Sequence, residues 1–125
     1  MKESRDLVSV VDDDESVRES LPDLLREFGF VVQAFSSAEE FLASNSVCQA
    51  KCLILDVAMP GMSGLDLQRE LKLRHQDIPI VFITAHRDDA VRAHMLEQGA
   101  VDCLIKPFSE TDLLGAIQLA LRTPK

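Results

Sequence analysis

The run Leu53-Ile54-Leu55-Asp56 constrains the chain most, because it is apolar at consecutive positions, ends in a carboxylate and is followed at once by Val57-Ala58-Met59-Pro60-Gly61-Met62-Ser63-Gly64. Apolar residues on both faces suit a strand buried in the middle of a parallel sheet, and the proline and glycines turn the chain sharply just beyond it. Asp56 then stands at the carboxyl end of a central strand, where open α/β sheets carry their ligand sites. Taken alone, it could equally be a strand-terminating or helix-capping carboxylate.

Two other stretches argue against that plain reading. Leu7-Val8-Ser9-Val10-Val11 runs directly into Asp12-Asp13-Asp14-Glu15, four acids with no base among them. Like charges crowded at one site repel, and a bound cation relieves that repulsion. Leu104-Ile105-Lys106-Pro107-Phe108 closes a short apolar strand with a lysine, and Ile80-Val81-Phe82-Ile83-Thr84-Ala85 ends another with a hydroxyl. If these four strands are parallel neighbours, Asp12, Asp13, Asp56, Thr84 and Lys106 gather at one edge of the sheet. Three carboxylates, a hydroxyl and an ammonium suit phosphoryl chemistry.

Taken in order, the pattern predicts a strand at Leu7 to Val11 and a helix from near Ser16 to Glu27. Val17, Leu21, Leu24, Leu25 and Phe28 form its buried stripe, and Gly29 stops it. Pro22 inside that helix forfeits a backbone hydrogen bond, so a kink or tightened turn is expected rather than a break. Phe30 to Phe35 reads as an edge strand. Ser36 with Glu39 reads as a capping box for a helix through Leu42 to about Ser44, and Asn45 to Ala50 as a polar loop. After the central strand, helices are expected at Gly64 to about Arg74, about Arg87 to Gln98, and from Ser109 onward, with strands at Ile80 to Ala85 and within Ala100 to Ile105. Alternating strands and helices of this length fit an α/β, doubly wound, five-stranded parallel sheet with helices on both faces and right-handed crossovers.

In order and spacing, Val10-Val11-Asp12-Asp13, Leu55-Asp56-Val57 with Met59-Pro60-Gly61-Met62-Ser63-Gly64, Thr84-Ala85 and Lys106-Pro107-Phe108 resemble the receiver domain of two-component response regulators, and more closely receivers attached to LuxR-type helix-turn-helix output domains. The likeness covers Leu7 to about Leu119. It implies the flavodoxin-like strand order 2-1-3-4-5, which puts the switch point between Asp12-Asp13 and Asp56. It also implies Asp56 as phosphoacceptor, with Mg²⁺ held by Asp13 directly, Asp12 often through water, Asp56 and the carbonyl of Ala58. Thr84 and Lys106 are expected on phosphoryl oxygens. Ala85, His86 and Cys103 are expected to modulate the switch: the family varies the positions of Ala58 and His86 to set how fast the acyl phosphate is lost, and Cys103 stands where receivers usually carry an aromatic ring.

The 125-residue length suits one compact domain and 46% hydrophobic residues supply its core. The expected division is a receiver at 1-121 and the start of a linker or tail at 122-125. A net charge of -8 excludes a basic phosphate-binding footprint, so any DNA binding belongs to another domain. Three cysteines without metal-ligand spacing, and no apolar run near the roughly 18 residues of a membrane span, fit a cytoplasmic chain. Asp14 and Glu15 read as first-turn acids favoured by the helix dipole, and His75 and His94 as solvated helix residues.

The function expected from these residues and this resemblance is a Mg²⁺-dependent phosphoaspartate switch. It accepts a phosphoryl group from a sensor histidine kinase and controls an output DNA-binding domain, with slow autodephosphorylation rather than conventional turnover. The surface formed by the helix near Arg87 to Gln98, the last strand and the last helix would be read by that domain or by a second receiver in a homodimer. A phosphorylation-independent interaction module is the alternative. A phosphoaspartyl hydrolase is weaker, because the chain has no spare length for a substrate-enclosing cap.

Overall fold

The computed structural model describes residues 6–122. Its elements are β1 (Leu7–Val11), α1 (Glu15–Glu27), β2 (Val31–Phe35), α2 (Ala38–Leu42), α3 (Ser46–Gln49), β3 (Cys52–Asp56), α4 (Gly64–Leu73), β4 (Ile80–Thr84), α5 (Asp89–Glu97), β5 (Asp102–Ile105) and α6 (Glu110–Arg122). The strands form one parallel sheet in the order β2-β1-β3-β4-β5. All five residues of β3 are buried, as the two-sided apolar run requires.

Strand alternation sorts the core into two layers. Leu53, Leu55 and Phe82 face Phe41, Leu67, Leu71 and Met95, which come from α2, α4 and α5. Ile54, Val81 and Ile83 face Leu25, Leu113 and Ile117 of α1 and α6. Helices therefore cover both faces, and the carboxyl ends of β1 and β3 emerge side by side, with Val11 opposite Leu55. β2 is the outer strand beside β1, and α1 continues unbroken through Pro22.

Two local expectations are corrected. The cap of α2 is Ser37, not Ser36: the Ser37 hydroxyl accepts from the Glu40 N–H at 3.0 Å, and the Glu40 carboxylate reaches back to the N–H and hydroxyl of Ser36. The expected loop at Asn45 to Ala50 contains the short helix α3, whose buried Ser46 donates its hydroxyl to Gln33 of β2. Elsewhere α5 starts at Asp89, behind an Asp88 cap that accepts from the Val91 N–H. Ser109 accepts from the Asp112 N–H at the start of α6. That helix runs through Arg122, while residues 123–125 of the expected tail lie outside the described residues.

Candidate functional site

β1 carries Asp12 and Asp13 to the same edge as Asp56 because the two strands pair in parallel and end level. One carboxylate oxygen from each of Asp12, Asp13 and Asp56 lies within 4.8 Å of the others. Asp12 is wholly buried and Asp56 is 6% exposed, while Asp13 faces solvent. Asp14 takes a different job: its carboxylate caps α1 by accepting from the Ser16 N–H at 2.9 Å. A bond from the Ser16 hydroxyl, joined by that backbone bond, holds the Asp14 carboxyl below the ordinary carboxylate range.

Asp12 is tied at every polar atom. Its N–H donates to the Phe35 carbonyl at 3.1 Å. Oδ1 accepts from the Asp14 N–H at 2.9 Å, and Oδ2 faces Lys106 Nζ at 3.1 Å. Its carbonyl accepts from Arg18 Nη1 at 3.0 Å.

Asp56 is the perturbed group. Burial, reinforced by the neighbouring charge of Asp12, pushes its carboxyl up to about 7; Lys106 opposes the shift and Asp13 adds to it. Three carboxylate oxygens crowded this closely are a hard donor set, and the share of the Asp56 shift that comes from Asp12 and Asp13, beside the larger effect of burial, is a repulsion that a divalent cation would relieve. The acids present therefore fit a divalent metal ion. Ala58, which offers only its carbonyl to such an ion, is exposed two residues past Asp56.

Gly64 sets the shape of the turn after β3. A Cβ there would come within 2.3 Å of the Asp56 carbonyl oxygen, so only glycine lets α4 start this close to the strand end. Gly64 N–H donates to the Val57 carbonyl at 2.9 Å. On the other side of the turn, Gly61 holds a φ of +75°, and Glu39 of α2 accepts from the Met62 N–H at 3.2 Å. Arg18 was not singled out by the sequence, and Glu39, read there as the capping partner of Ser36, instead holds the Met62 N–H. Both act across the fold, over 23 residues for Glu39, and only Arg18, six residues beyond Asp12, carried a local hint of its role.

Thr84 ends β4 opposite Ile105 of β5, and the Lys106 N–H donates to the Thr84 carbonyl at 2.7 Å. Its hydroxyl is turned to the following loop, donating to the His86 carbonyl and accepting from the His86 N–H, both at 3.2 Å. The fold thus brings Lys106 onto the acids but leaves the Thr84 hydroxyl engaged elsewhere. Ala85 and His86 are exposed beside it, and His94 is exposed on α5; His75, expected on a helix, is exposed in the turn just past the end of α4 with a φ of +60°.

Cys103 is buried, 6% exposed, in the layer that holds Met95. Burial pushes its thiol up from the ordinary range. A cleft of about 540 Å³ opens between α5 and the ends of β4 and β5, with Cys103, Val91 and Met95 along one part and Thr84, His86 and Phe108 along another. Cys103 lines this space with a small side chain.

The sequence pattern of the response regulator receiver domain matches residues 8–118. The response regulator protein TodT of Pseudomonas putida is 46% identical over 122 residues, which cover 98% of this chain and 54% of TodT. The transcriptional regulatory protein FixJ of Azorhizobium caulinodans is 38% identical over 114 residues, 91% of this chain and 54% of FixJ. This chain spans about half the length of these curated relatives. The crystal structure of FixJ-N superposes with a TM-score of 0.87 at 37% identity, covering 98% of each chain. Among the described residues no helix is long and apolar enough to cross a membrane.

Proposed function

The chain belongs to the response regulator receiver family, and from that premise we propose that it is a Mg²⁺-dependent phosphoaspartate switch that takes its phosphoryl group from a sensor histidine kinase and controls an output domain. The observation that carries this reading is the acid cluster: three carboxylates converge within 4.8 Å, two of them buried. A module that only bound partners through its surface would have no use for that repulsion, which makes phosphorylation-independent interaction the weaker reading.

In the proposed reaction, a carboxylate oxygen of Asp56 attacks the phosphorus of the phosphohistidine donor. The new O–P bond forms as the P–N bond breaks, and the electron pair leaves with the imidazole nitrogen. Mg²⁺ held by Asp13, Asp56 and the Ala58 carbonyl, with Asp12 acting through water, would neutralise the phosphoryl oxygens. Lys106 exchanges Asp12 for one phosphoryl oxygen as a compact positive charge. Thr84 exchanges the His86 carbonyl for another. Water attack on the phosphorus later restores the Asp56 carboxylate and releases phosphate, which makes the chain a self-phosphorylating acceptor with slow autodephosphorylation. Small Ala58 and the ring of His86 flank that path.

The change at Thr84 would pass through Ala85 and His86 to the surface of α5, β5 and α6, with Cys103 beneath it. Because the curated relatives are about twice as long and FixJ is a transcriptional regulatory protein, the proposed reader is a DNA-binding output domain of LuxR type, joined through a linker after α6. A second receiver docking on the same surface would give a phosphorylation-dependent homodimer. Its proposed setting is the cytoplasm.

Incubation with acetyl phosphate and Mg²⁺ followed by intact mass tests the switch. The expected result is one added phosphoryl group on the wild type and none on Asp56→Asn. No gain on the wild type would favour the interaction module, and rapid multiple turnover without an accumulated adduct would favour a hydrolase.

A further inference from the structure

Arg18 lies one turn into α1, yet its guanidinium points back at the turn that carries the acids, where Nη1 donates to the Asp12 carbonyl at 3.0 Å. The other polar atoms of Asp12 are held by Phe35, Asp14 and Lys106, so Arg18 completes the set. Across from it, Glu40 of α2 is fixed by the N–H and hydroxyl of Ser36 and feels the positive charge of Arg18. The hydrogen bond from Nη1 fixes the planar fork of the arginine against the backbone of Asp12.

We propose that Arg18 is a positioning residue of the acid site, acting through the carbonyl of Asp12 to fix the turn that presents Asp12 and Asp13. This rests on the reading of the acid cluster as a Mg²⁺ site. Two physical effects of Arg18 on that site have opposite signs. As a charge, a guanidinium near a cation site repels the cation, so removing it should tighten binding. As an anchor, it holds the ligand-bearing backbone in place, and outer partners of this kind typically contribute about 10- to 100-fold in metal affinity. The proposal is that the second effect is the larger.

The test is calorimetric titration of the full chain with Mg²⁺ for wild type, Arg18→Met and Arg18→Lys. Thermal midpoints and amide exchange at Asp14 are measured in chelator alongside. Arg18→Met is expected to weaken Mg²⁺ binding about tenfold and to speed exchange of the Asp14 amide, with little change in midpoint. Arg18→Lys, which keeps a charged donor, is expected to recover part of both. Equal or tighter Mg²⁺ binding by Arg18→Met would overturn the proposal, as would a fall in midpoint with affinity and exchange unchanged. If Arg18→Met loses its fold, Arg18→Gln is judged by the same criteria. Absence of Mg²⁺ binding by the wild type would overturn the reading of the acid cluster and this inference with it; normal wild-type binding with unaffected variants would overturn this inference alone.

Discussion

Lys106 Nζ stands 3.1 Å from Asp12 Oδ2, joining the end of β5 to the end of β1 across the two strands that separate them in the sheet. The carboxylate is wholly buried and the lysine side chain is 24% exposed. Among the described residues this ammonium forms the ion pair with a carboxylate of the acid cluster, and the proposed reaction requires it to let go.

Lys106→Ala should therefore destabilise the metal-free chain by about 1 to 3 kcal/mol, because it strands a buried carboxylate among others of its sign. Saturating Mg²⁺ should narrow the gap, since another cation then stands at the acids. Denaturation in chelator and in excess Mg²⁺ gives both values. Equal stability of the two proteins in chelator would mean that the ion pair contributes nothing.

Asp56 makes metal-free stability depend on pH in a definite direction. Its carboxyl titrates near 3.8 when unfolded and near 7 when folded. Between those values the folded chain holds a proton that the unfolded chain has lost, so stability falls as pH rises through the window and levels off above about 7. Asp56→Asn should fall less steeply over the same range and should be the more stable protein above it. Thermal midpoints of both proteins in chelator across that window provide the comparison. Parallel curves would show that Asp56 is not held up.

Ser9 offers a test of the core away from the chemistry. It is fully buried on β1 between Gln33 and Leu53, and its hydroxyl has no hydrogen-bond partner. Ser9→Ala should stabilise the chain by about 1 kcal/mol by removing an unsatisfied polar group at nearly constant volume. A lower midpoint in the variant would show that the hydroxyl is satisfied after all.

Cys103 bears on how the switch moves. A thiol on one torsion cannot fill or vacate a ring-sized space, and the cleft beside it is already open. With Mg²⁺ and beryllofluoride bound, Thr84 and the start of α5 should shift, while no aromatic side chain turns inward between α5 and β5. Crystal structures of the free and beryllofluoride-bound forms decide this. A large buried rotation of any ring there, or a motionless Thr84, would contradict it.

The sheet was legible because each strand carries its burial in its composition: β3 is apolar on both faces, and the acids, hydroxyl and lysine stand one after another at strand ends. What the sequence left ambiguous has local causes. Ser36 and Ser37 each precede a glutamate by three residues, so the capping pattern fits two registers, and the extended backbone at Ser37 with the Glu40 bond to Ser36 selects the second. Four-residue α3 is too short to show a periodicity, and its burial comes from Val47 packing into the core and Ser46 meeting Gln33 on another element. The anchoring of Asp12 by Arg18 and of the Met62 amide by Glu39 depends on tertiary contact, as does the turn of the Thr84 hydroxyl toward His86 rather than the acids.

Asp56 is the residue proposed to carry the phosphoryl group. Treating the acetyl phosphate-reacted chain with borohydride reduces an acyl phosphate to an alcohol, and peptide mass mapping then locates the altered side chain. The account predicts homoserine at position 56 and unmodified Asp12 and Asp13. Reduction at either of those acids, or at no carboxylate in a chain that had gained phosphate, would contradict it.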